Sequence, residues 1–135
     1  ERYGIFFYLK NKDGAVLFKK NKSSGLLANM DMLPSIGWYE DSNRFKSSPK
    51  FNQKKHEFLG IKCKILDHKL VHIFTHFKLN CTIAIALINN ENELLNDLDK
   101  STYRFIQKKN MDNLALPSLI KKILNSLKKD DALSF

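Results

Sequence analysis

The sequence predicts an α+β fold with a mainly antiparallel or mixed sheet and one or two helices. Strand-like runs of branched and aromatic residues recur through the chain, about six or seven in all. An Asp-Gly turn joins the first two runs, which is a strong hairpin signal. The clearest helix comes last, at Pro117–Lys129, with proline first and apolar residues at three- to four-residue spacing. Strands that dominate a chain and precede its best helix are typical of this class.

The N-terminal third is predicted to open with a hairpin. Tyr3–Lys10, rich in aromatic residues, reads as a strand buried on both faces, and Ala15–Phe18 resumes as its partner. The apolar run Leu26–Leu33 then ends at a proline and forms a short strand or an irregular segment. Trp38, the only tryptophan, is predicted to anchor the core rather than to stack on a base.

The middle of the chain is predicted to alternate a loop with strands. Glu40–Glu57 is polar and too long for a standard connection, so it is interpreted as a surface-loop insertion at about 40–57. Phe58–Leu66 alternates like a half-exposed strand, and Cys81–Ile88 reads as a buried one. Glu91–Leu98 is predicted to be a short helix or a loop. Tyr103–Ile106 is predicted to be a strand, and Asn110–Leu114 one helical turn.

The stretch Val71–Asn80 carries the most chemistry. In one continuous strand its odd positions would enter a core, and His72, Phe74, His76 and Lys78 would share the other face. Bases stack on such rings and phosphates pair with such cations. On composition alone, an ordinary half-buried strand with surface histidines is favoured. A break within the stretch, at its threonine, would swap the two faces.

Charge points modestly to a polyanion. Lys and Arg number 23 against 14 Asp and Glu, which gives a net charge of +9 and suits nucleic acid. Nearly all the cations are lysines, so an AT-rich genome explains the balance equally well. Lys19, Lys20 and Lys22 precede a Ser-Ser-Gly loop and are either phosphate contacts or a solvated loop.

Cysteine usage and hydropathy exclude several classes of protein. Cys63 and Cys81 are isolated, so neither a zinc ribbon nor an iron–sulfur cluster is expected, and both thiols are expected to be reduced. The apolar runs are too short to cross a bilayer. The chain begins at Glu1 without a secretory pattern, and we expect a cytoplasmic fragment of a longer protein.

Three motifs together resemble the C-terminal domain of MutY-type adenine DNA glycosylases. They are Leu17–Lys20 with Gly25–Pro34, then Val71–Leu79, then Ala115–Leu124, and they span nearly the whole chain. The resemblance implies one Nudix-like domain over residues 1–135 that recognises 8-oxoguanine opposite a misplaced adenine. The first motif departs from the family, which usually has two glycines, two aromatics and a Glu where this chain has Ala28, Asn29, Asp31, Met32 and Leu33. No site role is therefore carried over to Ala28–Leu33.

The resemblance assigns lesion contact to Phe74, Thr75 and His76. A threonine hydroxyl both donates and accepts, and the oxidised base carries an N7–H that guanine lacks. Phe74 would wedge or stack at the disturbed pair, and His76 would bond to the DNA backbone or buttress the loop. Their alternatives are a core phenylalanine and a structural donor. Lys78 joins Lys19, Lys20 and Lys22 as a possible phosphate contact.

The same resemblance implies that this chain binds and does not cleave, with no catalytic residue, metal or cofactor of its own. Adenine removal would belong to a missing N-terminal domain of the same protein, which holds a [4Fe-4S] cluster. The expected partners are that domain and duplex DNA with 8-oxoguanine:adenine or guanine:adenine mispairs, bound by a monomer at the bacterial nucleoid and not at a membrane.

Two alternative functions stay open. A Nudix hydrolase of oxidised nucleotides needs a helix whose glutamates gather Mg²⁺. It is disfavoured because Glu40, Glu57, Glu91 and Glu93 are scattered or in loops. A regulatory or protein-interaction domain is the third class, with its surface in Glu40–Lys55 and Glu91–Lys100.

Overall fold

A computed structural model of the chain describes residues 1–40, 51–52, 54–67 and 69–128. The strands of this part are β1 (Arg2–Asn11), β2 (Val16–Lys20), β3 (Asp31–Met32), β4 (Ser35–Tyr39), β5 (Phe51–Asn52), β6 (Glu57–Phe58), β7 (Ile61–Lys62), β8 (Lys64–Ile65), β9 (Leu70–Ile73), β10 (Lys78–Ile88) and β11 (Tyr103–Ile106). The helices are α1 (Glu91–Asn96), a 3₁₀ helix (Lys108–Asn113) and α2 (Ser118–Lys128). The predicted α+β class is confirmed.

The chain divides into two compact units, which are described separately. The first unit contains Glu1–Tyr8 and Ser35–Ala86, and the second contains Leu9–Pro34 and Leu87–Phe135. The long strands β1 and β10 contribute residues to both units. No structural finding tests whether residues 1–135 form a single domain with an insertion, so that remains a prediction.

In the first unit, β1 is a neighbour of β10 and pairs antiparallel with β4. β8 and β9 both pair antiparallel with β10. The prediction that β1 is buried on both faces is confirmed for its middle residues. They are at most 5% exposed: Ile5, Phe6, Phe7 and Tyr8. Burial of such aromatic and branched side chains supplies most of the driving force for folding.

A small three-stranded sheet of β5, β6 and β7 also lies in the first unit. Its strands have two residues each, so pairing alone stabilises it poorly. The ring of Phe58 stacks on Phe7 with 4.4 Å between centroids, and Phe51 lies 5.4 Å from the same ring. The small sheet is therefore stabilised chiefly by aromatic packing against β1.

One prediction for this region is wrong, and another falls partly outside the described residues. Phe58–Leu66 is not one half-exposed strand. It contains the last residue of β6 and all of β7 and β8. The chain reverses after β6 because Leu59 and Gly60 have positive φ values of 51° and 81°. Part of the predicted surface loop at Glu40–Glu57 is β5 and the start of β6. Residues 41–50 of that loop lie outside the described residues.

In the second unit, β2 pairs antiparallel with β3 and β11, and with the end of β1 at Lys10↔Val16. The predicted hairpin turn forms because the Asn11 side-chain oxygen accepts from the backbone N–H groups of Asp13 and Ala15, at 3.1 and 2.9 Å. Gly14 completes it at φ 84°, a conformation that favours glycine. The Asn11 amide also donates to Glu91 at the start of α1, at 3.0 Å.

Helix α2 confirms the predicted C-terminal helix as far as the described residues extend. It begins after Pro117, whose carbonyl oxygen accepts from Ile120 and Lys121. One face is buried, through Leu119, Ile120, Ile123 and Leu127. Among the described residues no helix is long and apolar enough to cross a membrane.

Asp31 connects the first and third sequence motifs within the second unit. Its carboxylate is 3% exposed and lies 3.2 Å from Nη2 of Arg104. The other carboxylate oxygen accepts from the backbone N–H of Ala115 at 3.2 Å, and the N–H of Asp31 donates to the carbonyl of Ala115 at 2.9 Å. Asp31 stands where the resembled family has an aromatic residue, so this chain holds the junction with charge and hydrogen bonds.

Candidate nucleic-acid interface

The predicted site lies at the tip of the β9–β10 hairpin. The last pair of the ladder is Ile73↔Lys78, and the N–H of Phe74 donates to the carbonyl of Phe77 at 2.8 Å. Thr75 and His76 form the bend between those two phenylalanines, and both are exposed. The prediction of one continuous strand over Val71–Asn80 is therefore wrong, and the alternative of a break at Thr75 holds.

The hairpin changes which side chains share a face. Phe74, Phe77 and His72 are grouped on one side, with His72 4.7 Å and Phe77 4.9 Å from the Phe74 ring centroid. Ile73, which the continuous strand would place in the core, is 77% exposed. Lys78, its partner across the ladder, is also exposed. An aromatic side and an exposed side therefore flank the same tip.

Trp38 packs against the aromatic side of the hairpin. Its ring lies 5.7 Å from Phe74 and 6.4 Å from Phe77, and 6.0 Å from the fully buried Phe6. We call Trp38, Phe74 and Phe77 the tip cluster. Phe74, predicted as a wedge, is half-buried in this cluster, while Thr75 and His76 are exposed.

The local backbone around Trp38 is unusual. Trp38 has a φ of 69°, a region that large side chains rarely adopt. Opposite it, the register of β1 with β4 shifts between Tyr3 and Gly4. A Cβ at Gly4 would lie 3.0 Å from Cδ1 of Trp38, so glycine leaves the space that the indole occupies.

Two cations lie beside the tip cluster. The guanidinium carbon of Arg2 sits 4.3 Å from the centroid of Phe77, a cation–π contact. Lys78 pairs with Glu1 at 3.4 Å, with both side chains about half exposed. The hydrogen bond from the Tyr3 hydroxyl, followed by Lys78, lowers the pKa of the Glu1 carboxyl. A phosphate at Lys78 would have to replace an existing carboxylate partner.

The other predicted phosphate contacts belong to the second unit. Lys20 and Lys22 are exposed, and Lys19 is half-buried with its Nζ 5.8 Å from the ring centroid of Tyr103. No structural finding tests the phosphate role of these lysines or of Lys78, nor the lesion contact of Thr75, so these site assignments remain predictions.

The glutamates considered for Mg²⁺ binding and the two cysteines differ in their positions and contacts. Glu91 accepts from Asn11 at the start of α1, and Glu57 lies in β6. Cys63 and Cys81 are buried and free, and burial raises the pKa of the Cys63 thiol to about 11. Among the described residues no group of three His, Cys, Asp or Glu side chains could hold a metal ion.

Residues that sequence reasoning missed complete the site. The continuous-strand prediction gives Phe77 only an inward position, and Arg2 belongs to no motif. Trp38 was singled out as a core anchor, but its contact with Phe74 depends on a positive φ that tryptophan does not signal. The glycine that precedes Trp38 within β4 is the one local sign of such a backbone.

Comparison with known families decides the fold family. The family model for the NUDIX domain matches residues 5–126. The chain belongs to the NUDIX domain family. Its predicted Nudix-like fold is therefore confirmed. Comparison with curated protein sequences finds no match.

Solved structures with this fold come from proteins of different function. One is the complex between the C-terminal domain of mouse MUTYH and human PCNA, with 17% identity, a TM-score of 0.70 and coverage of 95% of this chain and 88% of that one. The MutT protein from Methanosarcina mazei Go1 matches at 10% identity and TM-score 0.61, covering 96% of both chains. The NUDIX domain of Shewanella oneidensis NrtR, complexed with ADP ribose, matches at 11% and 0.63, covering 96% and 87%. At such identities the likeness establishes the fold alone.

Proposed function

We propose that this chain is the lesion-recognition domain of a MutY-type adenine DNA glycosylase, which senses 8-oxoguanine opposite adenine. The observation that carries the proposal is the position of Thr75 and His76. Of the three residues that match the family's lesion-contacting motif, Thr75 and His76 are exposed at the tip of the β9–β10 hairpin, and Phe74 lies beside them. A side chain that reads a base must be accessible and carried by a backbone that is held in place. Exposure of both residues next to a paired ladder supports the proposal.

The chemistry of the tip suits the oxidised base. Guanine presents an acceptor at N7 in the major groove, whereas 8-oxoguanine has an N–H donor there. A threonine hydroxyl accepts a hydrogen bond as readily as it donates one. Thr75 would thus gain a hydrogen bond from the lesion. His76, beside it, would contact the sugar-phosphate backbone.

Charge supports a DNA partner. The net charge of +9 favours association with a polyanion. Lys19, Lys20, Lys22 and Lys78 are the proposed phosphate contacts, and Lys78 would exchange Glu1 for a phosphate. We propose that the domain binds as a monomer and that a separate N-terminal domain removes the adenine. The C-terminal domain of mouse MUTYH, which shares the fold, lends support to this parent protein.

The test compares two duplexes that differ only at one base, 8-oxoguanine or guanine opposite adenine. Each duplex is titrated into the ¹⁵N-labelled chain at low salt, because phosphate contacts weaken steeply as salt rises. We expect tighter binding of the lesion duplex, with chemical-shift changes centred on Thr75 and His76. Equal affinities with diffuse changes over the lysines would contradict lesion recognition by this domain.

Thr75→Val supplies the residue-level test, since it keeps the side-chain shape and removes the hydroxyl. We expect the preference for the lesion duplex to fall by about 1–3 kcal/mol of binding free energy. Thr75→Ser, which keeps a hydroxyl, should retain the preference. Ser24→Ala removes an exposed hydroxyl elsewhere and serves as the control for nonspecific effects. A preference that survives Thr75→Val would remove Thr75 from the site.

A further inference from the structure

We infer that Trp38 is a positioning residue that holds the Thr75–His76 tip in place and thereby sets its selectivity for the lesion. The second half of this inference rests on the proposed function, whereas the first concerns the free chain alone. Trp38 lies outside the family motif assigned to lesion contact. Its assignment comes from its backbone, the space made for its ring, and the residues that the ring contacts.

The backbone of Trp38 is the first observation. A φ of 69° places a bulky side chain in the left-handed region, where glycine is favoured. Such conformations persist only when the surroundings enforce them, and they cluster at functional sites. Gly37, just before it, has a φ of 96°. These two residues turn the end of β4 so that the indole faces the hairpin.

The space for the indole is the second observation. The β1–β4 register shifts between Tyr3 and Gly4, directly across from the end of β4. Gly4 has no side chain where a Cβ would lie 3.0 Å from Cδ1 of Trp38. The shift passes over Trp38 in β4, between Tyr39 and Gly37, and the glycine of β1 next to it leaves the space for the ring.

The contacts of the indole are the third observation. On one side lies Phe6, which is fully buried. On the other lie Phe74 and Phe77, the residues immediately before and after the two-residue bend. One rigid ring thus connects the core to both ends of the two-residue bend. Arg2 stacks on the Phe77 ring at 4.3 Å and adds a further contact to the tip cluster.

This arrangement has a chemical consequence at the tip. A hydroxyl can distinguish N7–H from N7 only if its oxygen is held close to hydrogen-bonding distance, since misplacement by about 1 Å weakens a site severely. Thr75 and His76 are exposed, so their position depends on the residues beside them. Pre-ordering by Trp38 would remove the entropy that a mobile tip loses on binding.

The test uses two substitutions of Trp38 and one control. Trp38→Gly removes the ring and relieves the left-handed backbone, so strain relief and ring loss act in opposite directions on stability. Trp38→Phe keeps an aromatic ring. Ile36→Ala is the matched control because Ile36 is buried in the same strand, at 8% exposure, and is not part of the tip cluster. Trp38→Leu replaces Trp38→Gly if the glycine variant does not fold.

Two measurements are made on each variant. The ¹⁵N–¹H heteronuclear NOE at Thr75 and His76 reports the order of the tip in the free chain. The affinity ratio for the lesion and guanine duplexes reports selectivity. We expect Trp38→Gly to lower the NOE at both residues. The affinity ratio should fall roughly fivefold, because only the lesion duplex gains the Thr75 hydrogen bond and only its affinity falls with the populated fraction of the ordered tip. Trp38→Phe should restore part of both, and Ile36→Ala should change neither.

Each contrary outcome has a distinct meaning. An unchanged NOE at Thr75 and His76 in Trp38→Gly would overturn the inference, whatever happens to binding. A selectivity loss with a fully ordered tip would also overturn it, because Trp38 would then be contacting DNA itself. If the unmodified chain binds both duplexes equally, the proposed function fails, while the NOE comparison still decides whether Trp38 holds the tip.

Discussion

The Asp31–Arg104 pair allows a quantitative test of how much a buried carboxylate and its cation stabilise the second unit. The Asp31 side chain is 3% exposed, whereas that of Arg104 is 53% exposed. Removing the cation by Arg104→Met leaves a buried carboxylate with one backbone donor, the N–H of Ala115. Breaking a fully buried pair costs about 3–5 kcal/mol. We expect about 2–3 kcal/mol here, because water reaches the guanidinium side of the pair.

Asp31→Asn should cost less than Arg104→Met. The amide keeps the shape and a hydrogen-bond acceptor, and no buried charge is left unpaired. We expect a loss of about 1–2 kcal/mol, the difference between charged and neutral hydrogen bonds. In the double variant the two losses should not add, and the coupling energy should be about 1–2 kcal/mol.

Urea unfolding followed by far-UV circular dichroism measures all four proteins of this cycle. The exposed Glu1–Lys78 pair provides the control cycle, and its coupling should be too small to resolve, as is usual for solvated pairs. Equal losses in the two single variants, with a coupling below about 0.3 kcal/mol, would refute the view that a buried ion pair holds β3 to β11.

Three further predictions concern single residues. Gly4→Ala should lower stability by about 1 kcal/mol in thermal melts, because its Cβ would meet Trp38 at 3.0 Å; an unchanged midpoint would mean that the indole moves freely. Gly14→Ala should cost about 1–2 kcal/mol in urea, since the turn requires a φ of 84°. Burial raises the pKa of Cys63 from 9.0 to about 11, so the unfolded chain loses this proton first and stability should fall by up to about 2 kcal/mol from pH 9 to 11. Cys63→Ala should remove that part of the slope, and a slope that persists would assign it to other groups.

Elements with local chemical signals could be predicted from the sequence. The first hairpin follows from the Asn11 side chain and Gly14, which define the turn without help from the rest of the fold. Helix α2 follows from Pro117 and the apolar spacing after it. In both, the residues that fix the structure are neighbours in sequence.

The β9–β10 hairpin could not be predicted in this way. Its bend consists of Thr75 and His76, with no glycine, proline or asparagine to mark a turn. Alternation continues through the bend, so periodicity cannot distinguish one strand from two. Leu59 hides the β6–β7 turn similarly, because leucine at a φ of 51° is unusual. At these points tertiary packing overrides local preference.

The residues of the candidate site also differ in whether a local sequence signal marks them. Thr75 and His76 could be nominated through a motif that is contiguous in sequence. Trp38 and Arg2 reach the tip through β4 and β1, so their role depends on strand order and on a register shift. No single-sequence signal encodes either of these.

The packing of Trp38 against Phe74 has a spectroscopic consequence. It is the only tryptophan among the 135 residues, so indole emission, excited at wavelengths that the four tyrosines absorb poorly, has a single source in the protein. Its ring is half-buried and contacts both phenylalanines that bracket the tip. The chain therefore carries its own fluorophore beside the residues proposed to meet DNA. Engagement of the tip can be followed in unlabelled protein, in real time, by exciting this one indole.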